Sequence, residues 1–93
     1  ETPQVELIFS GEFRSRLRAL AKRYRNVRAD LQPLLDELQS GELSGDQVPN
    51  TGSTVFKVRL KNSDTQRGKS GGYRVIYQLR GNTCILLVVI YSK

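Results

Sequence analysis

Residues 4–9 set Val5, Leu7 and Phe9 at alternate positions between Pro3 and the Ser10-Gly11 pair, the period-two pattern of a half-buried strand. The spacing then lengthens. Ser10 suits a helix N-cap with Glu12 in the first turn, and Phe13, Leu17, Leu20, Ala21 and Tyr24 fall on one face of an amphipathic helix. Its other face is a run of arginines and a lysine. After Asn26, a second candidate cap, Val27, Leu31, Leu34, Leu35 and Leu38 repeat the spacing until Gly41 supplies a stop, so the two helices are expected to form a hairpin. Pro33 lacks the N–H that a helix interior uses, which favours a start near Asp30 and puts the proline in the first turn.

The second half changes period again. Residues 41–52, with their glycines, Pro49 and Asn50, read as a surface loop. Residues 55–61 alternate strictly, with Phe56, Val58 and Leu60 on one side and Lys57, Arg59 and Lys61 on the other, a strand with an apolar face and a basic face. A polar, glycine-rich stretch over 62–72 leads to a strand at 73–79, in which Tyr73 and Tyr77 share one parity and suit the core. Gly81-Asn82 makes a tight turn, and the continuously apolar run 84–91 predicts a central strand covered on both faces, with Cys84 buried and inert. The order strand, helix, helix, strand, strand, strand predicts a single α+β domain over 1–93: an N-terminal strand, a two-helix hairpin and a three-stranded meander completing a mostly antiparallel sheet. The hairpin would cover one face of that sheet and leave the other open and basic.

Composition narrows the chemistry. With 93 residues, 38% of them hydrophobic and 26% charged, the chain suits one soluble core, and no run is long enough to span a bilayer. No signal-peptide pattern is visible, and a single cysteine fits a reducing cytoplasm. The absence of histidine excludes histidine-based triads, and with one cysteine the usual zinc sites go too, so neither metal nor cofactor is expected. Charge is segregated. Residues 53–93 hold eight Lys/Arg against the one acid Asp64, a net +7, whereas residues 1–52 come to −1. A plain solubilising surface would explain the size of the charge but not its segregation, which suits a polyanion such as nucleic acid.

The element order, the strand Phe56-Lys57-Val58-Arg59-Leu60, the segment Gly72-Tyr73-Arg74-Val75-Ile76-Tyr77 and the ending Ile90-Tyr91-Ser92-Lys93 together resemble the RelE/ParE toxin superfamily. The long basic loop 61–72 resembles the RelE-like and HigB-like branch more than the gyrase-poisoning ParE branch. The resemblance implies a toxin that enters the ribosomal A site and cuts messenger RNA, held inactive by a cognate antitoxin, cytoplasmic and monomeric when free. It also carries catalytic roles onto Lys57, Arg59 and Arg74. Further catalytic residues of the family lie at or beyond the last strand's end, where this sequence offers Tyr91 and Lys93; the family's C-terminal segment is expected to be missing from it.

Cutting RNA without a metal requires a base for the ribose 2′-hydroxyl, cations around the phosphorane and an acid for the leaving oxygen. Lys57, two residues from Arg59 on one strand face, is the candidate base, since lysine beside other cations loses its proton more readily. Arg59 and Arg74 are candidates to grip phosphate in bidentate fashion, and Tyr91 to stack on a base or move a proton. Lys61, Arg67, Lys69 and Lys93 are candidate RNA contacts. The plainer alternatives stay open: Lys57, Arg59 and Lys61 as a solvated strand face, Arg74 paired with Asp64 or a hairpin acid, the basic helix face as ordinary surface. At the level of function, the alternatives are a non-enzymatic poison that binds DNA gyrase and a plain RNA-binding module. For the antitoxin, the charge and the resemblance imply an acidic, partly disordered segment that covers the basic face.

Overall fold

The computed structural model describes residues 5–49, 52, 54–65, 72–81 and 83–92. Its elements are β1 (Glu6–Phe9), α1 (Gly11–Arg23), α2 (Val27–Gln39), β2 (Asp46–Val48), β3 (Val55–Leu60), β4 (Tyr73–Leu79) and β5 (Cys84–Ser92). The five strands form one sheet in the order β1-β5-β4-β3-β2, with β1 parallel to β5 and every other pair antiparallel. The chain is therefore the α+β fold that its periodicities predict.

Helix α1 starts where Ser10 caps it: the Ser10 hydroxyl oxygen accepts the Phe13 N–H at 3.0 Å. The same hydroxyl donates to the Val88 carbonyl at 2.6 Å, so one side chain ends the first strand, opens the helix and ties both to β5. Helix α2 begins at Val27, earlier than Pro33 alone suggests, and the proline sits inside it. Val27 and Leu31 are buried in the core, and burying a Val or Leu side chain is worth roughly 1.5–3 kcal/mol each, enough to offset the roughly 3 kcal/mol that an interior proline costs. Pro33 itself faces outward.

The hairpin lies across the face made by Val58, Tyr73, Val75, Tyr77, Leu87 and Ile90, and Phe13, Leu31, Leu34 and Leu38 close the core against it. Two expectations change. Residues 46–48, inside the stretch read as loop, form the short edge strand β2, held by pairing with Val55 to Lys57. And β5, although flanked by strands on both edges, is covered on one face only: Leu86, Val88 and Val89 stay half-exposed and Cys84 is half-buried.

Between β4 and β5 the register shifts at Ile76/Tyr77: Ile76 faces Val89 while Tyr77 faces Leu87, leaving Val88 as the extra residue of a β-bulge. The bulge inverts the alternation of β5. Ile85 and Leu87 point inward before it, Ile90 points inward after it, and Tyr91 is turned to the outer face. The Val88 carbonyl is the one Ser10 satisfies.

Candidate functional site

The outer face of the sheet brings together residues far apart in sequence. Arg59 on β3 lies directly opposite Arg74 on β4, and Arg74 directly opposite Tyr91 on β5, a row of three across three strands. Lys57 stands two residues from Arg59 on the same side, opposite Ile76. Residues directly opposite in an antiparallel pair have Cβ atoms about 4.5–5.5 Å apart, and like charges there cost stability. Two arginines so placed bring two guanidinium-bearing residues side by side on one face of the sheet.

Exposure divides the row. Lys57, Arg59 and Lys61 are exposed and Tyr91 is half-buried, but Arg74 is 4% exposed, with its Nη1 donating to the Tyr73 carbonyl at 3.3 Å. Lys57 and Arg59 thus present their cations to solvent, whereas Arg74 lies buried on β4 between β3 and β5. Arg67, Lys69 and Lys93 lie outside the described residues. The outer face is also less uniformly basic than expected: Ile76, Leu86 and Val89 are half-buried on it, and Ile8, at 42% exposed, extends this apolar strip to β1. The arginines of α1 are exposed on the far side of the helix, and the Arg23 guanidinium sits 5.2 Å from the Tyr24 ring.

The start of the basic loop is pinned to the helical hairpin by two acids. Asp64 accepts from the Asn26 N–H at 3.0 Å and from Asn26 Nδ2 at 3.2 Å, so its carboxylate serves the helix junction, and Asn26 spends its amide there instead of capping α2. Asp30 accepts from the Ser63 N–H at 2.9 Å and the Ser63 hydroxyl at 3.1 Å. Asn62, buried, accepts the Asp64 N–H through its side-chain oxygen at 2.9 Å, an Asx turn that shapes this corner. At the other end of the loop Gly72 passes so close to β3 that a Cβ there would stand 1.8 Å from the Leu60 carbonyl oxygen. Sequence reasoning missed this clamp; the Asn62-Ser63-Asp64 triplet signalled a turn, but not the helix residues it would meet.

Tyr73 and Tyr77 belong to the core, as their parity predicts, both fully buried. Burial, with smaller contributions from Asp30, Asp64 and Tyr24, pushes the Tyr73 hydroxyl up to about 12, and burial with Glu37 does the same for Tyr77. The Tyr77 hydroxyl donates to the Ser44 carbonyl at 2.6 Å; among the described residues the Tyr73 hydroxyl has no hydrogen-bond partner. Beside the row, an open groove of about 540 Å³ separates α2 from β3, with Pro33, Leu34 and Glu37 on one wall and Lys57, Arg59 and Lys61 on the other. No helix among the described residues is long and apolar enough to cross a membrane. Compared with known proteins, the chain matches no family, no curated protein and no solved structure.

Proposed function

We propose that this protein is the toxin of a type II toxin-antitoxin pair, a metal-independent endoribonuclease of the RelE-like kind that cuts messenger RNA on the ribosome and stops translation. The observation that carries the reading is the row Arg59, Arg74 and Tyr91 across three strands, with Lys57 beside it on the same face. These are the cations and a candidate base for metal-free RNA cleavage, gathered from three separate segments onto one face of the sheet.

In this reading the scissile phosphate lies over Arg59. Arg59 forks onto two phosphate oxygens, and Arg74, fixed beneath by burial and its bond to the Tyr73 carbonyl, adds charge that strengthens as the phosphorane gathers negative charge. Lys57 takes the 2′-hydroxyl proton as that oxygen attacks phosphorus, the P–O5′ bond breaks to leave a 2′,3′-cyclic phosphate, and the departing 5′-oxygen takes a proton from water. Tyr91, at the other end of the row, stacks on a neighbouring base and holds the nucleotide in line, while Ile76 and Val89 offer an apolar floor for it. The cytoplasm is the compartment where such a substrate is met, and a cognate antitoxin is the partner that keeps the toxin silent.

The test is primer extension on messenger RNA in a cell-free translation reaction. Wild-type protein should create new 5′ ends at A-site codons, and Lys57→Ala or Arg59→Ala should each lower the cleavage rate by about 10²-fold or more while leaving the fold intact. Arg74→Ala should abolish cleavage too, but its burial requires a circular-dichroism check beside it. Translation arrest without new 5′ ends would overturn the nuclease reading and favour a protein-binding poison.

A further inference from the structure

The sheet ends in two unlike edges. At one end the short strand β2 lies against β3, which carries Lys57 and Arg59 on its exposed side. Short, charged edge strands are the usual protection against further pairing. Strand β1, at the other end, lacks that protection: residues 5–10 contain no lysine and no proline, their single charge is Glu6, and the pairing with β5 runs without a register shift.

Two hydrogen bonds fix which backbone groups of β1 are open. The Glu6 N–H donates to the Thr83 carbonyl at 2.7 Å and the Ser10 N–H to the Leu87 carbonyl at 3.0 Å, so Glu6, Ile8 and Ser10 turn their backbone groups toward β5. Alternation then turns the N–H and carbonyl of Val5, Leu7 and Phe9 to the outer edge, where none of them has a hydrogen bond among the described residues. Apolar surface collects at the same place. Among the described residues the exposed large hydrophobic side chains are Ile8, on the outer face of β1, and Leu43, which shares a hollow of about 190 Å³ with Val5 and Ile85 at the start of the strand.

We propose that β1 pairs with β1 of a second copy of this chain, antiparallel about a two-fold axis at Leu7, joining two sheets into one. The register is self-complementary. With Leu7 opposite Leu7, Val5 of each copy faces Phe9 of the other, and these are the positions whose backbone groups are open, enough for about six hydrogen bonds. On the inner side every such pair is apolar and half-buried, and Phe9 of one copy comes beside Val5 and Leu43 of the other. On the outer side the two Ile8 side chains meet diagonally across the axis, with each Glu6 flanking them.

Charge favours a second copy at this edge. The chain carries +6, so two copies repel, yet β5 holds no charged residue and β1 only Glu6. Across the joint the two copies of Arg74 stand about five strand spacings apart, roughly 24 Å, well beyond the screening length of about 8 Å at physiological salt. A nearly neutral edge that matches itself gives neither an acidic nor a basic partner an advantage over another copy. The inference departs from the free monomer that the family resemblance implies, goes beyond the nuclease reading and stands without it.

The experiment uses the full chain alone. Sedimentation velocity from about 1 µM to 1 mM should show a monomer passing to a dimer, and Ile8→Lys, which sets two like charges beside the axis at an exposed position, should weaken the dimer at least 10-fold with an unchanged circular-dichroism spectrum. In the wild type, hydrogen exchange of the Leu7 and Phe9 amides should slow at least 10-fold between the two ends of that range, while the Ile8 amide, turned toward β5 in either state, should change less. That readout is independent of any variant's folding. A monomer at every concentration, a dimer whose Leu7 exchange ignores concentration, or an Ile8→Lys protein that dimerises as tightly as the wild type would overturn the proposal. RNA cleavage enters none of these measurements, so the nuclease reading can fail while the dimer stands, and the reverse.

Discussion

The two faces of the sheet are made by the same strands and behave as different materials. On the inner face, Tyr73, Val75, Tyr77, Leu87 and Ile90 are shut away under the helices, and among them only the Tyr73 hydroxyl has no hydrogen-bond partner within the described residues. On the outer face, one residue along each strand, Lys57, Arg59, Arg74, Tyr91 and Leu86 carry charge, hydrogen-bonding groups and half-exposed apolar surface. The period-two geometry of a strand puts stability and chemistry a few ångströms apart on opposite sides of one backbone. Changes on one side should therefore read out as folding, and changes on the other as activity or binding.

Neighbours of opposite parity test this most directly. Leu87→Ala removes a fully buried side chain and should cost roughly 2–5 kcal/mol in urea unfolding, whereas Leu86→Ala, adjacent but outward, should cost under about 1 kcal/mol. Equal losses would mean that the outer face is covered too, and the division between faces would fail. Ser10→Ala comes next. It removes both the cap on α1 and the hydroxyl that satisfies Val88 at the bulge, and should cost about 1–2 kcal/mol by denaturant titration. A loss of a few tenths would mean that the bulge holds itself.

The smallest effect is confined to alkaline pH. The fold holds the phenolic protons of Tyr73 and Tyr77 up to about 12, whereas the unfolded chain releases them near the ordinary value of 10. Their contribution is complete below about pH 10 and is lost as the pH rises toward about 12. Urea midpoints measured across that window should fall in the wild type and fall less steeply in a Tyr73→Phe, Tyr77→Phe double variant. Identical slopes would show that these inner-face hydroxyls are not what links stability to pH.

Much of this organisation was legible beforehand, and the exceptions share a cause. The helical spacing of α1 and α2 and the strict alternation of β3 survive folding because each segment has one apolar side that must be buried. Lys57 and Arg59 could be put on one exposed face from that alternation alone. Arg74 could be assigned to the outer parity by the same logic, but not its 4% exposure, which depends on what surrounds it in space. Strand β2 carries no apolar alternation of its own and exists because β3 offers it partners. The clamp of Asp30 on Ser63 and of Asp64 on Asn26 joins positions 33 and 38 residues apart, beyond any local pattern.

The sequence by itself determined the α+β class, the hairpin, the core face and the basic side of β3, because periodicity is a local property that water reads segment by segment. Only the tertiary structure decided where Tyr91 points. Continued alternation from Ile85 and Leu87 would have turned Tyr91 into the core, and a single extra residue at Val88, its carbonyl bound by a serine 78 positions earlier, puts it beside Arg74 instead. The bulge belongs to the pairing of two strands and the capping of a distant helix. No reading of residues 84–91 alone contains it.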